Sequence, residues 1–452
     1  MASTPSDWLP VLAKRIDDNM PRARLLESYV DGNAPLPEMS KNTRSSWQKY
    51  QRKARTNWGL LVRDSVADRI VPNGITVGGS ADSPEAKAAQ RIYRDNRMSA
   101  VFKTWLKYGL TFSESYLTVW QGDGVPVITA DSPKSMGVAV DPLQPWRVRA
   151  AMRYWRDEDS GFDYALVWCV GWRQKFRRES YATGGNRRRL LSRASGQWAP
   201  DGDPVDTNGA APPVVVYLNP DGLGEFESHT DVIDRCNEGE LQRLSTMAMQ
   251  AFRQRALKSA PDGDGLPKND QDGKPIDWAA LFEPAPGALW DLPPGIDLWE
   301  SQQTDIRPML DALKEDIRKL SAATKTPLPM LMPDGANQSA EGAQNTEKGF
   351  IFKCEDRLAV AKLGLEAALV KALQTMGFDV EDTVSVAFES PERVTLSEKY
   401  SAASMAKAAG ESWGSIRRNI LNYSPDQMRQ DDLDRAREQL NLFAASQSDG
   451  SR

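Results

Sequence analysis

The chain of 452 residues carries 57 Lys and Arg against 62 Asp and Glu, a net charge of −5. That length suits roughly two or three cooperating domains with a sizeable core. A protein that wraps DNA for affinity needs a strong basic excess, so tight phosphate binding is excluded as the main activity.

Residues 8–18 and 21–29 read as two short helices stopped by Asp31-Gly32, and Pro35 and Pro37 hold an extended link. Over 46–70, Trp47, Tyr50, Ala54, Trp58, Leu61, Val62, Val66 and Ile70 recur mostly three or four apart, which predicts one helix. Pro72-Asn73-Gly74 breaks it. Helices follow over 84–96, with Pro84 suited to the first turn, and over 100–110. Extended apolar segments at 114–120 and 125–130 flank Gly122-Asp123-Gly124, a hairpin signal. Further strands at 136–140, 149–155, 165–173 and 214–218 predict an antiparallel sheet. A polar stretch over 177–213 holds Arg177, Arg178, Arg187, Arg188, Arg189 and Arg193, which reads either as a solvated hairpin and loop or as a nucleic-acid contact.

The helical period returns over 230–259, with Leu241, Leu244, Ala248 and Ala251 on one face. Residues 261–303 carry no such period yet include Trp278, Trp290 and Trp299, too much apolar surface for a flexible linker. A helix capped near Thr304-Asp305 has the stripe Ile306, Met309, Leu313, Ile317 and Leu320, with Asp311, Lys314, Glu315, Arg318 and Lys319 opposite. It stops by Thr326-Pro327, because the residue before proline is pushed out of the α region. A loop with Pro327, Pro329 and Pro333 follows, then the longest helix, 339–374, on the order of 50 Å if unbroken at about 1.5 Å per residue. Gly342, Gly349 and Gly364 are expected to bend it. A strand at 382–388 precedes helices near 397–409 and 412–422; Ser424-Pro425-Asp426-Gln427 opens a last one, and the tail from Ala444 is expected to be disordered.

Signals for catalysis are scarce. The one histidine, His229, lies in Glu227-Ser228-His229-Thr230-Asp231 and reads as a residue at a helix start, with no Gly-x-Ser-x-Gly elbow to pair with it. There is no Cys-x-x-Cys pair and no P-loop, so neither zinc nor ATP chemistry is supported. Asp262-Gly263-Asp264-Gly265 departs from a calcium loop, with its glycine at the fourth position, and reads as a solvated turn. Cys169, Cys236 and Cys354 are far apart and odd in number, which suits a reducing compartment. The longest apolar run, 165–172, is too short to span a bilayer, and residues 1–10 lack the order of a secretion signal.

Three stretches carry a resemblance. They are 57–79, from Asn57-Trp58-Gly59 through Gly78-Gly79; 89–142, with Tyr93, Asp95, Asn96, Tyr108-Gly109, Ser113-Glu114-Ser115-Tyr116, Asp131-Ser132-Pro133 and Val140-Asp141-Pro142; and Thr324-Lys325-Thr326-Pro327 through Asn337-Gln338-Ser339-Ala340-Glu341-Gly342-Ala343. In this order, over roughly 20–440, the chain resembles the portal proteins of long-tailed phages, the siphophage portal family typified by that of a Bacillus siphophage.

The resemblance implies an α+β, predominantly helical portal fold. Residues 1–228 would be N-terminal helices and a β-rich wing, 229–259 and 304–325 the stem, and 260–303 the clip. The tunnel loop would be 326–338, the long wing helix and its strand 339–390, and a helical crown 391–443, with 444–452 a tail. It further implies a non-enzymatic ring subunit, as a dodecamer, at the capsid vertex of a virion assembled in the host cytoplasm. Double-stranded DNA would pass through the ring. The partners would be the large terminase, the major capsid protein and scaffold, and a head-tail connector, with no cofactor, metal or membrane. Met330, Leu331, Met332, Asp334 and Asn337 would face the DNA channel, and Trp278, Trp290 and Trp299 would serve terminase docking in the clip.

The alternative is a sequence-tolerant DNA-binding protein using the arginines of 177–193, with a helix–turn–helix-like run over 400–421 around Gly410 offering Arg417, Arg418 and Asn419. A nuclease would need carboxylates at distinctive spacing beside a lysine, and none stands out.

Overall fold

The computed structural model describes residues 3–37, 45–179, 193–251, 255–259, 268–269, 272–275, 296–300, 305–332, 340–380, 383–392 and 394–449. The fold is α+β and divides into two units. One comprises Met1–Pro35, Asn57–Ile233 and Ile317–Arg452, the other Leu36–Thr56 and Asp234–Asp316.

In the first unit, α1 (Pro5–Val30) is one helix where two were expected. Thr4 and Asp7 close a capping box at its start, and Pro10 and Pro21 lie inside it. An interior proline costs roughly 3 kcal/mol, but Leu12, Ala13 and Ile16 bury against a sheet and Ala23, Leu26 and Tyr29 are buried further along. Packing along the whole length outweighs the two local breaks. The sheet is β4 (Met136–Val140), β5 (Val148–Asp157), β6 (Phe162–Cys169) and β7 (Trp172–Glu179) in sequence order, with the short strands β8 (Ala199–Pro200) and β9 (Val205–Asp206) on β7. The expected single strand over 165–173 is therefore a hairpin, turned at Gly171 with φ +83°, a backbone region that glycine enters without steric cost.

The largest cluster surrounds Trp105. It joins α4 (Pro84–Asp95) and α5 (Met98–Phe112) to β2 (Glu114–Trp120), β3 (Val127–Asp131), β10 (Val214–Leu218) and the long helix. The strand order is β10-β2-β3, so the hairpin around Gly122 forms as expected. Phe102 and Trp105 share this cluster with Phe350, Cys354, Leu365 and Ala368 of the long helix. At Gly364 a Cβ would stand 2.5 Å from the Trp105 ring, so the glycine lets helix and indole touch. Gly109 does the same for Tyr217, whose ring would stand 2.3 Å from a Cβ.

The expected 46–70 helix is two, α2 (Ser45–Ala54) and α3 (Trp58–Ala67), and the break falls where one unit gives way to the other. One apolar periodicity served two cores. Pro72-Asn73-Gly74 ends the helical run but also opens β1 (Pro72–Val77), paired antiparallel with β13 (Val384–Phe388). The register slips between Pro72 and Gly74, which suits a proline at the first residue of a strand.

The second unit contains α2, most of α6 (Thr230–Ala251) and the start of α7 (Arg307–Thr324). Arg235 pairs with Asp316 at 2.9 Å, and Gly239 faces Leu313, so here the two helices run antiparallel. The helix expected over 230–259 stops at Ala251; β11 (Arg255–Ser259) follows and pairs with β12 (Ile296–Glu300). Arg255-Ala256-Leu257 can extend either a helical stripe or a strand, and pairing with Leu298 and its neighbours decides it.

Further along lie α8 (Leu328–Leu331), α9 (Ala340–Thr375), α10 (Leu396–Ala408), α11 (Trp413–Asn419) and α12 (Pro425–Asp449). The last extends to Asp449, into the tail expected to be disordered. Ser424 and Gln427 form its capping box, as the sequence pattern indicated.

Candidate functional site

The segment expected to face a channel begins where α7 stops. Lys325 adopts a left-handed φ of 51°. Its N–H donates to the Ala322 carbonyl at 3.3 Å, and the Thr326 N–H donates to the Ser321 carbonyl at 3.0 Å. Together these make the paired stop that ends many helices, here with lysine where glycine is usual. The helix thus ends before Pro327 by its own C-cap. Ser321 Oγ donates to the Thr326 carbonyl at 2.6 Å, and the Thr324 and Thr326 hydroxyls lie 3.0 Å apart, all buried.

Residues 328–331 then form the short helix α8 instead of an irregular loop. Leu328 and Leu331 are buried, and Met330 packs against the cluster around Trp105. Within this subunit the Leu331 side chain is therefore turned to the interior, and Met330, partly buried, rests on that cluster. Met332 is half-buried. Asp334 and Asn337 lie outside the described residues, as do Trp278, Trp290 and the turn at Asp262. Trp299 stands on β12, its backbone opposite Ala256.

A charged cluster that sequence reasoning missed lies beside this loop. Glu225 is buried in the segment leading to α6, and one carboxylate oxygen takes Lys353 at 2.8 Å while the other takes Arg357 at 2.6 Å. Burial alone would raise the Glu225 pKa, but the two cations outweigh it and hold the carboxyl below its ordinary value. Lys353 also donates to the Thr324 carbonyl at 2.9 Å, and Arg357 to Asp221 at 3.0 Å. A cavity of about 350 Å³ opens here, lined by His229, Lys325, Lys353 and Arg357 among others. His229 ends a short helical turn before α6, as expected, and its pKa is lowered by burial and then by Lys353. The only sequence signal was a pair of cations four apart, Lys353 and Arg357, beside the apolar positions Cys354 and Leu358 of a long helix.

Where it is described, the arginine stretch is divided between interior and surface: Arg177 and Arg193 are exposed and Arg178 is not. Arg178 is buried against Asp163 at 3.3 Å, lies over the Trp198 ring at 4.1 Å and donates to the carbonyls of Arg193, Ala194 and Ser195. Arg177 lies over Phe162. Arg187, Arg188 and Arg189 lie outside the described residues. In the 400–421 run Gly410 does turn the chain with φ +91°, but Arg417 is buried and bound to Asp431 and Asp432 at 2.6 and 2.7 Å, which removes it as a base reader. Among the described residues no group of acidic, His or Cys side chains could hold a metal ion, and no helix is long and apolar enough to cross a membrane.

The helices α6 and α7 pair antiparallel, the strand pair β11–β12 lies between them in the chain, and the capped turn after α7 precedes the long helix α9. Residues 11–438 match the family model described as phage portal protein, SPP1 Gp6-like, and the chain belongs to that family. It is a portal protein. Among solved structures, the chain is similar to one in the virion of a native gene transfer agent particle. That match has 14% identity, 88% of this chain and 99% of that chain covered, and a TM-score of 0.48. A chain from the neck of an empty gene transfer agent particle, computed with C6 symmetry, is similar at 14% identity, with 84% and 94% covered and a TM-score of 0.49. No curated protein sequence matches the chain. The family assignment rests on the match over 11–438.

Proposed function

We propose that the chain is the ring-forming subunit of a capsid vertex, a structural and non-catalytic conduit through which double-stranded DNA is packaged and released. The observation that carries this is the family match over 11–438, joined to the antiparallel pairing of α6 and α7. These would be the stem. The exposed side of α7 alternates Asp311, Lys314, Glu315, Arg318 and Lys319, a mixed-charge surface along which DNA can slide without being held. In particles assembled with and without the chain, DNA protected from nuclease should depend on its presence; equal protection would remove the reading.

The ring is proposed to be a dodecamer in a virion, meeting the large terminase, the major capsid protein and scaffold, and a head-tail connector. The clip would lie between the paired strands β11 and β12. A Gly-Ser link replacing 260–295 keeps that ladder, so it should leave a folded subunit that no longer binds terminase. Retained binding would move the docking site elsewhere. For the tunnel loop, the channel-facing side chains are proposed to be Met332, Asp334 and Asn337, with Met332 offering a soft uncharged contact. The alternative, DNA binding through 177–193, loses Arg178 to the interior.

A further inference from the structure

The buried charges around Glu225 join the segment before α6, the end of α7 and the long helix α9 at one point. Glu225 belongs to the segment 219–225 that carries the chain from β10 to α6. Its N–H donates to the Leu110 carbonyl of α5 at 2.8 Å. A Cβ on the preceding Gly224 would stand 2.2 Å from the Thr111 carbonyl, so only glycine allows this approach. Asn219 reinforces the segment: Tyr217 donates to it at 3.0 Å, and it donates to Glu225 at 3.2 Å. The Glu225 backbone is thus tied to α5, and its carboxylate accepts from Asn219 on one side and from α9 on the other.

Lys353 and Arg357 stand one helical turn apart on α9, on a shared face. Lys353 divides its ammonium between Glu225 and the terminal carbonyl of α7, that of Thr324. Thr324 is the residue at which α7 yields to the capped turn and the loop. One lysine therefore ties the segment before α6 to the last carbonyl of α7, while Arg357 fixes the same carboxylate and reaches Asp221. Such a cluster is a weak source of stability, because taking the charges out of water offsets much of their attraction. Its bonds are directional, however, and each has one satisfying geometry.

We propose that Glu225, Lys353 and Arg357 are positioning residues: a joint that sets the start of α6 and the end of α7 in one arrangement relative to the long helix, and so fixes where the loop after Thr326 is presented to passing DNA. This rests on the portal reading. The joint differs from ordinary core in what it specifies. Apolar side chains of similar size could fill the same space, but they would leave the Thr324 carbonyl and the root of α6 free to shift against α9.

The test separates these roles. Glu225→Leu with Lys353→Met and Arg357→Met fills the site with apolar groups, and Lys353→Met alone removes the shared cation; Lys353→Arg is the conservative control. All are made in the full-length chain. Ring formation is read in micrographs, packaging as nuclease-protected DNA per particle, and local order by hydrogen exchange at the amides of Lys325 and Thr326. The triple variant should form rings and melt near the parent, yet protect about tenfold less DNA, and exchange at the two amides should rise at least about tenfold while the β5–β6 ladder is unchanged. Lys353→Arg should recover most of both. If Lys353→Met fails to fold, the triple variant supplies both readings. Normal DNA protection together with unchanged exchange would overturn the joint. If the parent itself neither forms rings nor protects DNA, the portal reading fails, and the exchange result still decides the joint.

Discussion

The cluster around Trp105 and the three C-terminal helices stand at opposite extremes of burial. Around Trp105, two helices, a three-stranded sheet and α9 close over the ring from all sides, and glycines at 109 and 364 remove the last gaps. In α10 to α12 the buried apolar cluster is only Ala403, Ile416 and Leu421, while Leu396 and Leu440 stand 73% and 69% exposed. Stability in the first region comes from interdigitated volume. The second is held by local devices: capping boxes at Thr395–Glu398 and Ser424–Gln427, and the bonds of Arg417 to Asp431 and Asp432.

The contrast can be broken most forcefully at its centre. Trp105→Ala should cost about 3–5 kcal/mol in denaturant unfolding, whereas Ile416→Ala, in a cluster free to collapse, should cost nearer to 2 kcal/mol. Equal losses would erase the distinction. Acid probes the charged joint beside the first region. The folded-state pKa of Glu225 is lowered, so its contribution is present above the unfolded value near 4.3 and is lost as pH falls through the folded one. Protonation would take the shared carboxylate charge away from Lys353 and Arg357, so stability should fall as the solution is acidified. Unfolding followed from pH 6 downward should show it, and Glu225→Gln should flatten that part of the profile.

A smaller effect divides the loop itself. Met330→Ser should lower stability by about 1.5–3 kcal/mol, since its side chain rests on the main cluster. Met332→Ser should change it by less than about 1 kcal/mol while altering DNA retention. Matching thermal shifts in the two variants would contradict the placement of Met330. The smallest change is a gain: Lys325→Gly relieves the left-handed backbone at the end of α7 and should add up to about 1 kcal/mol.

Most of the strands and helices were legible because their periods are local. The strand Met136–Val140 and the strand Val214–Leu218 fall where alternation and turn residues put them. What was hidden depended on distant partners. Pro10 and Pro21 look like breaks until the sheet under α1 is known, and the turn at Gly171 is masked by apolar residues on both sides. The run 46–70 has one periodicity but two destinations. In the candidate site, the Thr324-Lys325-Thr326-Pro327 stop was visible as a motif, whereas Glu225 was not, since its meaning comes from two cations more than a hundred residues away. The arginines of 177–193 illustrate the opposite failure: a charge run suggested a ligand, and Arg178 is spent on Asp163 and Trp198.

The central claim is that this chain closes into a ring. Mass photometry of the purified protein, with negative-stain micrographs of the same sample, tests it most directly. The account predicts particles of many times the 50.2 kDa of one chain, seen end-on as rings with a central hole. Only monomers or dimers at micromolar concentration, with no rings in micrographs of assembled particles, would contradict it.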